Sequence, residues 1–451
     1  MSKICVLGLG YIGLPTASIL ATHGHQVVGV DVNQALIRRL RNGEVHIQEP
    51  GLNTLVQAGL NSGKLKVAEQ PEAADAFIIA VPTPISPDKR ADLGYVESAA
   101  RAILPHLQPG NTVILESTVP PGTTAGMFAT LLAESGLDPW TELKVAHSPE
   151  RVLPGRILEE LVSNDRVTGG LTPAGAQSAR DLYASFVQGE IFISDATTAE
   201  MVKLMENTYR DVNIALANEF ALIAESIGVN VWEAIATANR HPRVNVLRPG
   251  PGVGGHCIAV DPWFMVQCAP GPSQLIASAR RLNDRMPEHV VEIVRTALAK
   301  VKGSKVAVLG LSYKGDVDDM RESPAVTVVR WLLASGCEVL AYDPLIAPEV
   351  AADPHHGGLK VAVETVDEAV LGADCVLLLT DHSPFKQLDP NQVGAMMRHR
   401  ILIDARNGLP HAKWEEAGFT VHLLGRGVQP DAQPIKPDTN GYHPAVEAVP
   451  A

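Results

Sequence analysis

Short runs of apolar residues alternate with longer mixed segments along most of the chain. In the first part these runs are KICVLG from Lys3, QVVGVD ending at Asp31, and the runs at residues 76–81, 112–117 and 144–149. Apolar runs of this length, bounded by turn residues, are typical of buried strands. Because helix-length segments separate them, the pattern predicts a parallel sheet.

The longest helical pattern lies at residues 198–228, and it contains neither Pro nor Gly before Gly228. Its apolar residues recur at about helical spacing; they are Met201, Leu204, Met205, Val212, Leu216, Phe220 and Ile223. This spacing predicts a long helix that connects the parts of the chain before and after it. A cluster of glycine and proline at residues 248–257, RPGPGVGGHC, predicts a tight loop with an exposed backbone.

An internal repeat indicates two α/β units. KICVLGLG at residues 3–10 returns as KVAVLGLSY at residues 305–313, and each copy precedes a helical pattern and a strand that ends in Asp, at Asp31 and Asp343. CVLLLT and ILIDA are the further strands predicted in the second unit. The second copy carries the insertion SYKGDVDDMRES where the first has YIG, so its turn is not expected to cradle a dinucleotide in the same way.

The predicted fold class is therefore α/β, with two Rossmann-like doubly wound domains joined by a helical region that contains a long central helix. The expected boundaries are 1–197 for the N-terminal domain, 198–300 for the central region and 301–430 for the C-terminal domain. Residues 431–451, rich in Pro and polar groups, are expected to form a tail.

Composition narrows the function classes. The 451 residues include 46% hydrophobic and 19% charged residues, which is typical of a folded chain of two or three domains. A formal net charge of -13 has the wrong sign for a protein that binds nucleic acid or an anionic membrane.

Five cysteines without CxxC spacing argue against a disulfide framework and a structural zinc site, and no metal is expected. Neither a signal-peptide pattern nor an apolar run of membrane-spanning length is present, so a cytoplasmic protein is expected.

Gly8, Gly10 and Gly13 form the pattern GxGxxG directly after the first predicted strand and at the start of a helix. Glycines at this spacing let the backbone approach a pyrophosphate at the helix N-terminus. Asp31 ends the next strand, where a carboxylate accepts hydrogen bonds from ribose hydroxyls and repels a 2′-phosphate. NAD is therefore predicted rather than NADP. The alternative is a tight turn without a ligand, followed by an Asp that only ends a strand.

Cys257 lies in the glycine-rich loop, whereas the other four cysteines lie in or beside apolar runs. A thiol on such a loop, four residues before Asp261, is a candidate covalent nucleophile, and the alternative is a loop thiol without a function. The adjacent His256 is expected to have mainly a structural role.

Lys203 and Asn207 are spaced i and i+4, so they project from one face of the predicted helix, although a solvated polar stripe is the alternative.

Seven motifs, in one order along nearly the whole chain, resemble the nucleotide-sugar 6-dehydrogenases, a family that includes UDP-glucose, GDP-mannose and UDP-N-acetylhexosamine dehydrogenases. They are VLGLGYIGLP at the start, VPTP (81–84), ESTVPPGTT (116–124), HSPERVLPG (147–155), AEMVKLMENTYRDVNIALANE (199–219), GPGVGGHCIAVDP (250–262) and SYKGDVDDMRESPA (312–325). The resemblance implies an N-terminal NAD domain, a central region that forms a homodimer or higher homo-oligomer, and a C-terminal domain that binds the UDP-sugar.

The resemblance also implies roles for single residues. Cys257 matches the nucleophile, Lys203 and Asn207 match the pair that stabilises oxyanions, and Asp261 matches a carboxylate that assists proton transfer or water activation. Glu150 and Thr118 fall near the reacting carbon and the nicotinamide. The implied cofactor contacts are Gly8, Gly10, Tyr11, Ile12, Gly13, Asp31, Pro82, Thr83, Thr118 and, at the pyrophosphate, Arg321. The implied substrate contacts are Glu150, Arg151, Lys203, Asn207, Gly254, Lys314 and, at the UDP phosphates, Arg243 and Arg248.

The implied activity is a four-electron oxidation of a sugar C6 hydroxyl to a uronic acid, with two NAD consumed. Cys257 would form a thiohemiacetal and then a thioester, which water hydrolyses with Glu150 or Asp261 as the base. The segment PGPGVGGHCIAVDPWF, with HPRVNVL upstream, is most similar to members that oxidise UDP-N-acetyl-D-mannosamine for bacterial surface polysaccharides. Val260 and His256 stand where UDP-glucose dehydrogenases typically have lysine and serine.

Other activities remain open at this point. UDP-N-acetyl-D-glucosamine differs from the mannosamine substrate only in configuration at C2, and no residue type or spacing selects one epimer. A single-step β-hydroxyacid dehydrogenase would need no nucleophilic cysteine and leaves the second α/β unit unexplained. A non-catalytic nucleotide-sugar sensor predicts the loss of Cys257, Lys203 or the glycine pattern, all of which are present.

Overall fold

The computed structural model describes residues 2–47, 49–153, 155–299, 304–354 and 357–427. The predicted tail at 431–451 lies outside the described residues. Within the described ranges, no helix is both long enough and apolar enough to cross a membrane.

An eight-stranded sheet organises the N-terminal part. Its strands are β1 Lys3–Leu7, β2 Gln26–Val30, β3 Leu65–Ala68, β4 Ala76–Ile79, β5 Thr112–Leu115, β6 Lys144–His147, β7 Arg166–Gly170 and β8 Ile191–Asp195. Their order is β3-β2-β1-β4-β5-β6-β7-β8. Strands β1 to β6 run parallel, β7 is antiparallel to β6, and β8 is parallel to β7. The parallel sheet predicted from five runs is confirmed for those runs, whereas β3, β7 and β8 were not predicted.

Helices cover both faces of this sheet. They are α1 Gly13–Thr22, α2 Gln34–Arg41, α3 Leu52–Asn61, α4 Gly94–Ile103, α5 Ala129–Ala133, α6 Ile157–Ser163 and α7 Pro173–Tyr183, with short helical turns at Leu104–His106 and Thr124–Phe128. Successive residues of β1 face opposite sides, with Ile4 and Val6 in one apolar cluster and Cys5 and Leu7 in another. This two-sided burial explains why the strands are almost entirely apolar.

The central region is built on α8 Ala196–Ile227, α9 Val231–Ala238, α10 Asp261–Cys268 and α11 Gln274–Ala297. The long helix predicted at 198–228 is confirmed as α8, which has 32 residues. Asp195 caps its start by accepting a hydrogen bond from the Thr198 amide at 2.9 Å, and Gly228 ends it in the left-handed conformation with a φ of 77°. The glycine-rich loop that carries Cys257 leads into α10.

The C-terminal part is a second sheet, with β9 Lys305–Leu309, β10 Glu338–Tyr342, β11 Cys375–Leu378, β12 Ile401–Asp404 and β13 Thr420–Leu423. Their order is β10-β9-β11-β12-β13, and all pairs are parallel. Its helices are α12 Pro324–Ala334, α13 Pro348–Ala352, α14 Val366–Val370, α15 Pro390–Met396 and α16 His411–Glu416, with a helical turn at Ser383–Gln387. The predicted fold, two Rossmann-like domains joined by a helical region, is confirmed.

Much of the central region shares its core with the C-terminal sheet. Ala221 of α8 and Val290 of α11 belong to the same buried apolar cluster as Val306 and Val308 of β9. This shared core fixes α8, and the polar side chains it carries, against the C-terminal domain.

Candidate active site

The three glycines of the first turn differ in what a side chain at each position would contact. A Cβ at Gly8, where φ is 93°, would lie 2.4 Å from the Ala80 carbonyl oxygen, and a Cβ at Gly13 would lie 1.8 Å from the Gly8 carbonyl oxygen. Gly10 is exposed, and a Cβ there would meet no atom of the described residues within 4 Å. Gly8 and Gly13 are therefore required by the turn itself, whereas Gly10 keeps clear the approach to the helix N-terminus.

Helix α1 starts immediately after this turn, with Ile12 at its N-cap position. No side chain caps this end, and the first turn of the helix contains no acidic residue. Amide groups and the positive end of the helix dipole are thus available to an anion, which is the arrangement that a dinucleotide pyrophosphate requires. The residues present fit NAD.

Asp31 and Asp343 occupy equivalent places in the two α/β units but differ in what they bind. One oxygen of Asp31 accepts from the Leu9 amide at 2.9 Å, the other accepts from the Asn33 amide at 2.8 Å, and the residue is partly exposed. Asp343 is 4% exposed, and its Oδ2 accepts from the Leu311 amide at 2.7 Å and lies 3.0 Å from Nε2 of the buried His382. Asp343 is buried and bonded inside its domain, so only the Asp31 carboxylate is exposed enough to face a ribose.

The ends of β4 and β5 are tied together beside the glycine turn. Thr83 Oγ1 donates to the Thr118 carbonyl oxygen at 2.7 Å, and Ser117 Oγ accepts from the Val81 amide at 2.9 Å. Pro82 lies between these contacts and is exposed. These segments lie at the carboxyl edge of the sheet, where open α/β sheets bind their ligands.

Arg321 brings the C-terminal domain to the glycine turn. Its guanidinium carbon lies 5.5 Å from the centroid of the Tyr11 ring, and its Nη2 lies 2.6 Å from Asp319 Oδ2. His256 Nδ1 is 4.0 Å from the same Asp319 oxygen. A cation from the insertion of the second unit is therefore placed between the predicted cofactor turn and the loop that carries Cys257.

Cys257, Asp261, Asn207 and Lys203 form one cluster between α8 and the start of α10. The Asp261 amide donates to the Cys257 carbonyl oxygen at 2.8 Å, and Asn207 Nδ2 donates to Asp261 Oδ2 at 2.6 Å. Below this cluster, Leu204 of α8 packs with Val260 and Phe264. Of the predicted i, i+4 pair on α8, Asn207 therefore bonds to Asp261 at the end of the loop, and Lys203 lies close enough for its charge to affect Cys257 and Asp261.

Burial and neighbouring charges shift the acidities in this cluster. The pKa of the Cys257 thiol is raised to about 11, mainly by burial and also by the Asp261 charge, against the opposing charge of Lys203. Burial also raises the pKa of Asp261 to about 6, against the opposing effects of Lys203 and the Asn207 hydrogen bond. At neutral pH the thiol is protonated, and a largely ionised carboxylate is close by to receive a proton. An amide and an ammonium group beside them are suited to stabilising an oxyanion.

The C-terminal domain packs so closely against the cysteine loop that two of the loop's glycines have little or no room for a side chain. A Cβ at Gly254 would lie 2.6 Å from the Glu322 carbonyl oxygen, and one at Gly255 would lie 3.1 Å from the Tyr313 ring. The Gly255 amide also donates to the Arg321 carbonyl oxygen at 3.0 Å. The glycines of this loop predicted that something lies close to its backbone. At Gly254 and Gly255 that neighbour is the segment 313–322 of the same chain.

Glu150 belongs to a buried charged cluster that the sequence did not reveal. Its carboxylate forms an ion pair with Arg166, whose Nη1 lies 3.3 Å from Glu116 Oε1. Tyr183 donates its hydroxyl to the same Glu116 oxygen at 3.1 Å, and the Arg166 guanidinium stacks 4.0 Å from the centroid of the Tyr183 ring. Burial raises the pKa of Glu116 to about 7. An arginine inside a strand-like run, at RVTGG, was the available signal in the sequence.

Glu200 is a second residue that the sequence did not identify. It lies on α8 one turn before Lys203 and is 1% exposed. Its carboxylate accepts from the Gly122 amide at 2.6 Å, from the Thr124 amide at 2.7 Å and from the Thr124 hydroxyl at 2.6 Å. These bonds attach the ESTVPPGTT segment, and with it the region of Thr118, to the helix that carries Lys203.

The remaining predicted substrate contacts lie at the surface. Arg151 forms an ion pair with Glu206 of α8 at 3.1 Å, beside Asn207. Arg243, Arg248 and Lys314 are exposed, and within the described residues their side chains form no hydrogen bond or ion pair. The structure therefore does not join these three cations to the cluster around Cys257.

Three family models cover most of the chain. The models of the UDP-glucose/GDP-mannose dehydrogenase family match residues 2–187 as the NAD binding domain, 197–285 as the central domain and 307–411 as the UDP binding domain. The chain belongs to this family. It is an NAD-dependent nucleotide-sugar dehydrogenase, which confirms the predicted family, enzyme class and cofactor.

Individual relatives narrow the comparison. The chain is 50% identical over 437 residues to the UDP-N-acetyl-D-mannosamine dehydrogenase of Methanococcus maripaludis, which covers 95% of this chain and 98% of that protein. It is 47% identical over 415 residues to an NDP-N-acetyl-D-galactosaminuronic acid dehydrogenase of Ralstonia solanacearum, covering 89% of this chain and 95% of that protein. The solved structure of UDP-D-ManNAc dehydrogenase from Pyrococcus horikoshii has a TM-score of 0.87 and 45% identity, covering 94% of this chain and 99% of that chain.

Proposed function

We propose that the protein oxidises the C6 hydroxyl of UDP-N-acetyl-D-mannosamine to the uronic acid, with two NAD consumed per sugar. The observation that carries this proposal is the cluster of Cys257, Asp261, Asn207 and Lys203, placed where the Arg321 segment joins the cysteine loop to the glycine turn. A simple alcohol dehydrogenase needs no thiol at this place, whereas a four-electron oxidation through a covalent adduct needs a nucleophile that retains the aldehyde.

Gly10, the N-terminus of α1 and Asp31 would hold NAD, with Thr83, Thr118 and Arg321 beside it. When bound, NAD supplies the hydride acceptor for both oxidations. The chain's own residues account for the other requirements, which are proton removal, retention of the aldehyde and stabilisation of the oxyanions.

Cys257 acts on the aldehyde left by the first oxidation. Its sulfur bonds to the aldehyde carbon, the thiol proton passes to Asp261, and the resulting oxyanion, stabilised by Lys203 and Asn207, is protonated to a thiohemiacetal. The second oxidation removes the hydroxyl proton and a hydride from this adduct and leaves a thioester on Cys257. Water then adds to the thioester carbon, the carbon–sulfur bond breaks, and the uronate and the free thiol are released.

We assign the hydrolytic base to Asp261 rather than to Glu150. The Glu150 carboxylate is engaged in an ion pair with the buried Arg166. Asp261 lies next to Cys257, and its pKa of about 6 is close to the value that suits a general base near neutral pH. Glu150 then serves to orient the sugar.

The mannosamine substrate is supported by the two UDP-N-acetyl-D-mannosamine dehydrogenases named above, whereas His256 and Val260, which stand where UDP-glucose dehydrogenases have serine and lysine, argue only against UDP-glucose. The test is kcat/KM for UDP-N-acetyl-D-mannosamine, its glucosamine and galactosamine counterparts and UDP-glucose, in one buffer with excess NAD. The expected result is the highest value for the mannosamine compound, by about tenfold or more. A higher value for another sugar would replace the assigned substrate.

The oligomeric state and location belong to the same proposal. Seven apolar residues of α8 remain exposed along its length, namely Met201, Met205, Tyr209, Leu216, Phe220, Ile223 and Ile227, here called the α8 stripe. A contiguous exposed apolar stripe on a long helix supports pairing with a second copy of the chain. We propose a homodimer that works in the cytoplasm and supplies an activated uronic acid for bacterial surface polysaccharide.

A further inference from the structure

Two asparagines of α8 hold the cysteine loop at its two ends. Asn207 Nδ2 donates to Asp261 Oδ2, just after Cys257, at 2.6 Å. Asn218 Oδ1 accepts from the Gly250 amide, at the start of the same loop, at 2.9 Å. The two asparagines are eleven residues apart, which is about three helical turns, so they share one face of the helix.

The Asn218 contact is the end of a buried chain of hydrogen bonds. Asn218 Nδ2 donates to Asn283 Oδ1 of α11 at 2.9 Å, and Asn283 Nδ2 donates to Asp211 Oδ1 at 2.8 Å and to the Asp211 carbonyl oxygen at 3.0 Å. Arg280 forms an ion pair with the same carboxylate. Asn218, Asn283, Asp211 and Arg280 are all 0% or 1% exposed.

The donor and acceptor roles in this hydrogen-bond network are fixed at both of its ends. The Gly250 amide can only donate, so it must face the oxygen of Asn218 and leave the Asn218 NH₂ group for Asn283. The Asp211 carboxylate, paired with Arg280, can only accept, so it must face the NH₂ group of Asn283. A single orientation of both amides satisfies every contact, and each amide is therefore locked.

The packing of α8 against α11 does not itself require this polar network, because apolar side chains could fill the same space. Burying polar groups is unfavourable unless each is paired, and apolar replacements of such networks are often as stable or more so. What the network adds is a defined position for the Gly250 amide. Arg406 also lies close to Gly250, because a Cβ there would lie 2.8 Å from Arg406 Nη1.

We propose that Asn218 and Asn283 are positioning residues for Cys257. They hold the start of the loop so that the thiol meets the aldehyde carbon, while Asn207 and Asp261 hold its end. This inference rests on the proposed function, in which Cys257 captures the aldehyde. Losing the Asn218 contact should slow the steps that need the thiol, while the first hydride transfer, which does not need it, proceeds.

The test compares Asn218→Ser with Asn213→Ser, a control on the same helix, where the Asn213 side chain donates to the Tyr209 carbonyl oxygen at 2.7 Å. UDP-N-acetyl-D-mannosamine is oxidised with excess NAD in the presence of hydroxylamine, and both NADH per sugar and trapped aldehyde are measured. In Asn218→Ser, capture by the thiol is expected to slow by about 10- to 100-fold, so that NADH per sugar falls from two towards one and aldehyde oxime accumulates. Asn213→Ser should behave as wild type.

Asn283→Ser provides a second variant, because it leaves the Gly250 contact in place and removes the partner that orients Asn218, together with the bonds that Asn283 donates to Asp211. It should show a smaller shift in the same direction. Two NADH per sugar with no trapped aldehyde in both variants, with both oxidation steps slowed equally, would overturn the positioning role. One NADH per sugar from the wild-type enzyme would instead overturn the proposed function on which the inference rests.

Discussion

Asn207 Nδ2 lies 2.6 Å from Asp261 Oδ2, and this bond joins the middle of α8 to the first residue of the helix that follows Cys257. It stabilises the ionised form of Asp261 and so lowers a pKa that burial raises to about 6. The same asparagine is expected to help stabilise the oxyanion. One side chain thus affects both the base and the reacting carbonyl oxygen.

The first prediction concerns pH. If activity requires ionised Asp261, kcat/KM should fall on the acid side with a midpoint near pH 6. Asn207→Ser removes a hydrogen bond that favours the charged form, so the pKa of Asp261 rises and the midpoint should move to higher pH. The profile is measured with Asn213→Ser as the control. A lower rate with an unmoved midpoint would show that Asp261 is not the group that titrates.

The second prediction concerns the thiol. Because the pKa of Cys257 is raised to about 11, its alkylation by iodoacetamide should increase up to about pH 10 without a plateau. Lys203 lowers this pKa and Asp261 raises it, so Lys203→Met should slow the reaction at pH 8 and Asp261→Asn should accelerate it. Peptide mass spectrometry separates Cys257 from the exposed Cys268. Changes of the same sign in both variants would contradict the electrostatic account.

The third prediction separates the glycines of the first turn. A Cβ at Gly10 meets no atom of the described part of the chain within 4 Å, so Gly10→Ala should keep the wild-type Tm. Its methyl group would occupy the approach to the α1 N-terminus, so the Kd for NAD should rise by about tenfold or more. Gly126→Ala, also free of contacts within 4 Å, is the control for both measurements. Unchanged NAD affinity in Gly10→Ala would place the pyrophosphate elsewhere.

The fourth prediction concerns the α8 stripe. Leu216→Glu introduces a charge into it and should convert a dimer into a monomer of half the mass, measured by sedimentation velocity. Leu275→Glu changes an equally apolar, exposed residue on α11 and should leave the mass unchanged. A monomeric wild-type enzyme, or a Leu216→Glu variant of unchanged mass, would exclude this surface as the interface.

Local patterning was enough to predict most of the fold. The strands that begin at Lys3, Ala76 and Thr112 are buried on both faces, so each appears in the sequence as a continuous apolar run. The strand β8 was not predicted; its Phe192 and Ile193 are exposed, so it does not share the two-sided burial of the strands that were recognised. Residues 166–170, which form β7, contain an arginine and two glycines and lack an apolar run.

The chemistry of the site was predictable only where neighbours in the sequence are neighbours in space. Lys203 and Asn207 are four residues apart on one helix, and Cys257 and Asp261 share one turn, so their spacing carried the signal. The ion pair of Arg166 with Glu150 and the bond of Asn218 to Gly250 join distant segments, and the fold alone brings them together. The glycines of the cysteine loop were recognised as a sign of close approach, but the Glu322 carbonyl oxygen that approaches Gly254 was not identifiable.

The most direct test of the central claim is NADH formed per UDP-N-acetyl-D-mannosamine consumed, measured with wild-type enzyme and with Cys257→Ala under excess NAD. The account predicts two NADH per sugar for the wild type and, for the variant, no more than one, with the second oxidation lost. One NADH per sugar from the wild type, or two from Cys257→Ala, would contradict the covalent route through Cys257.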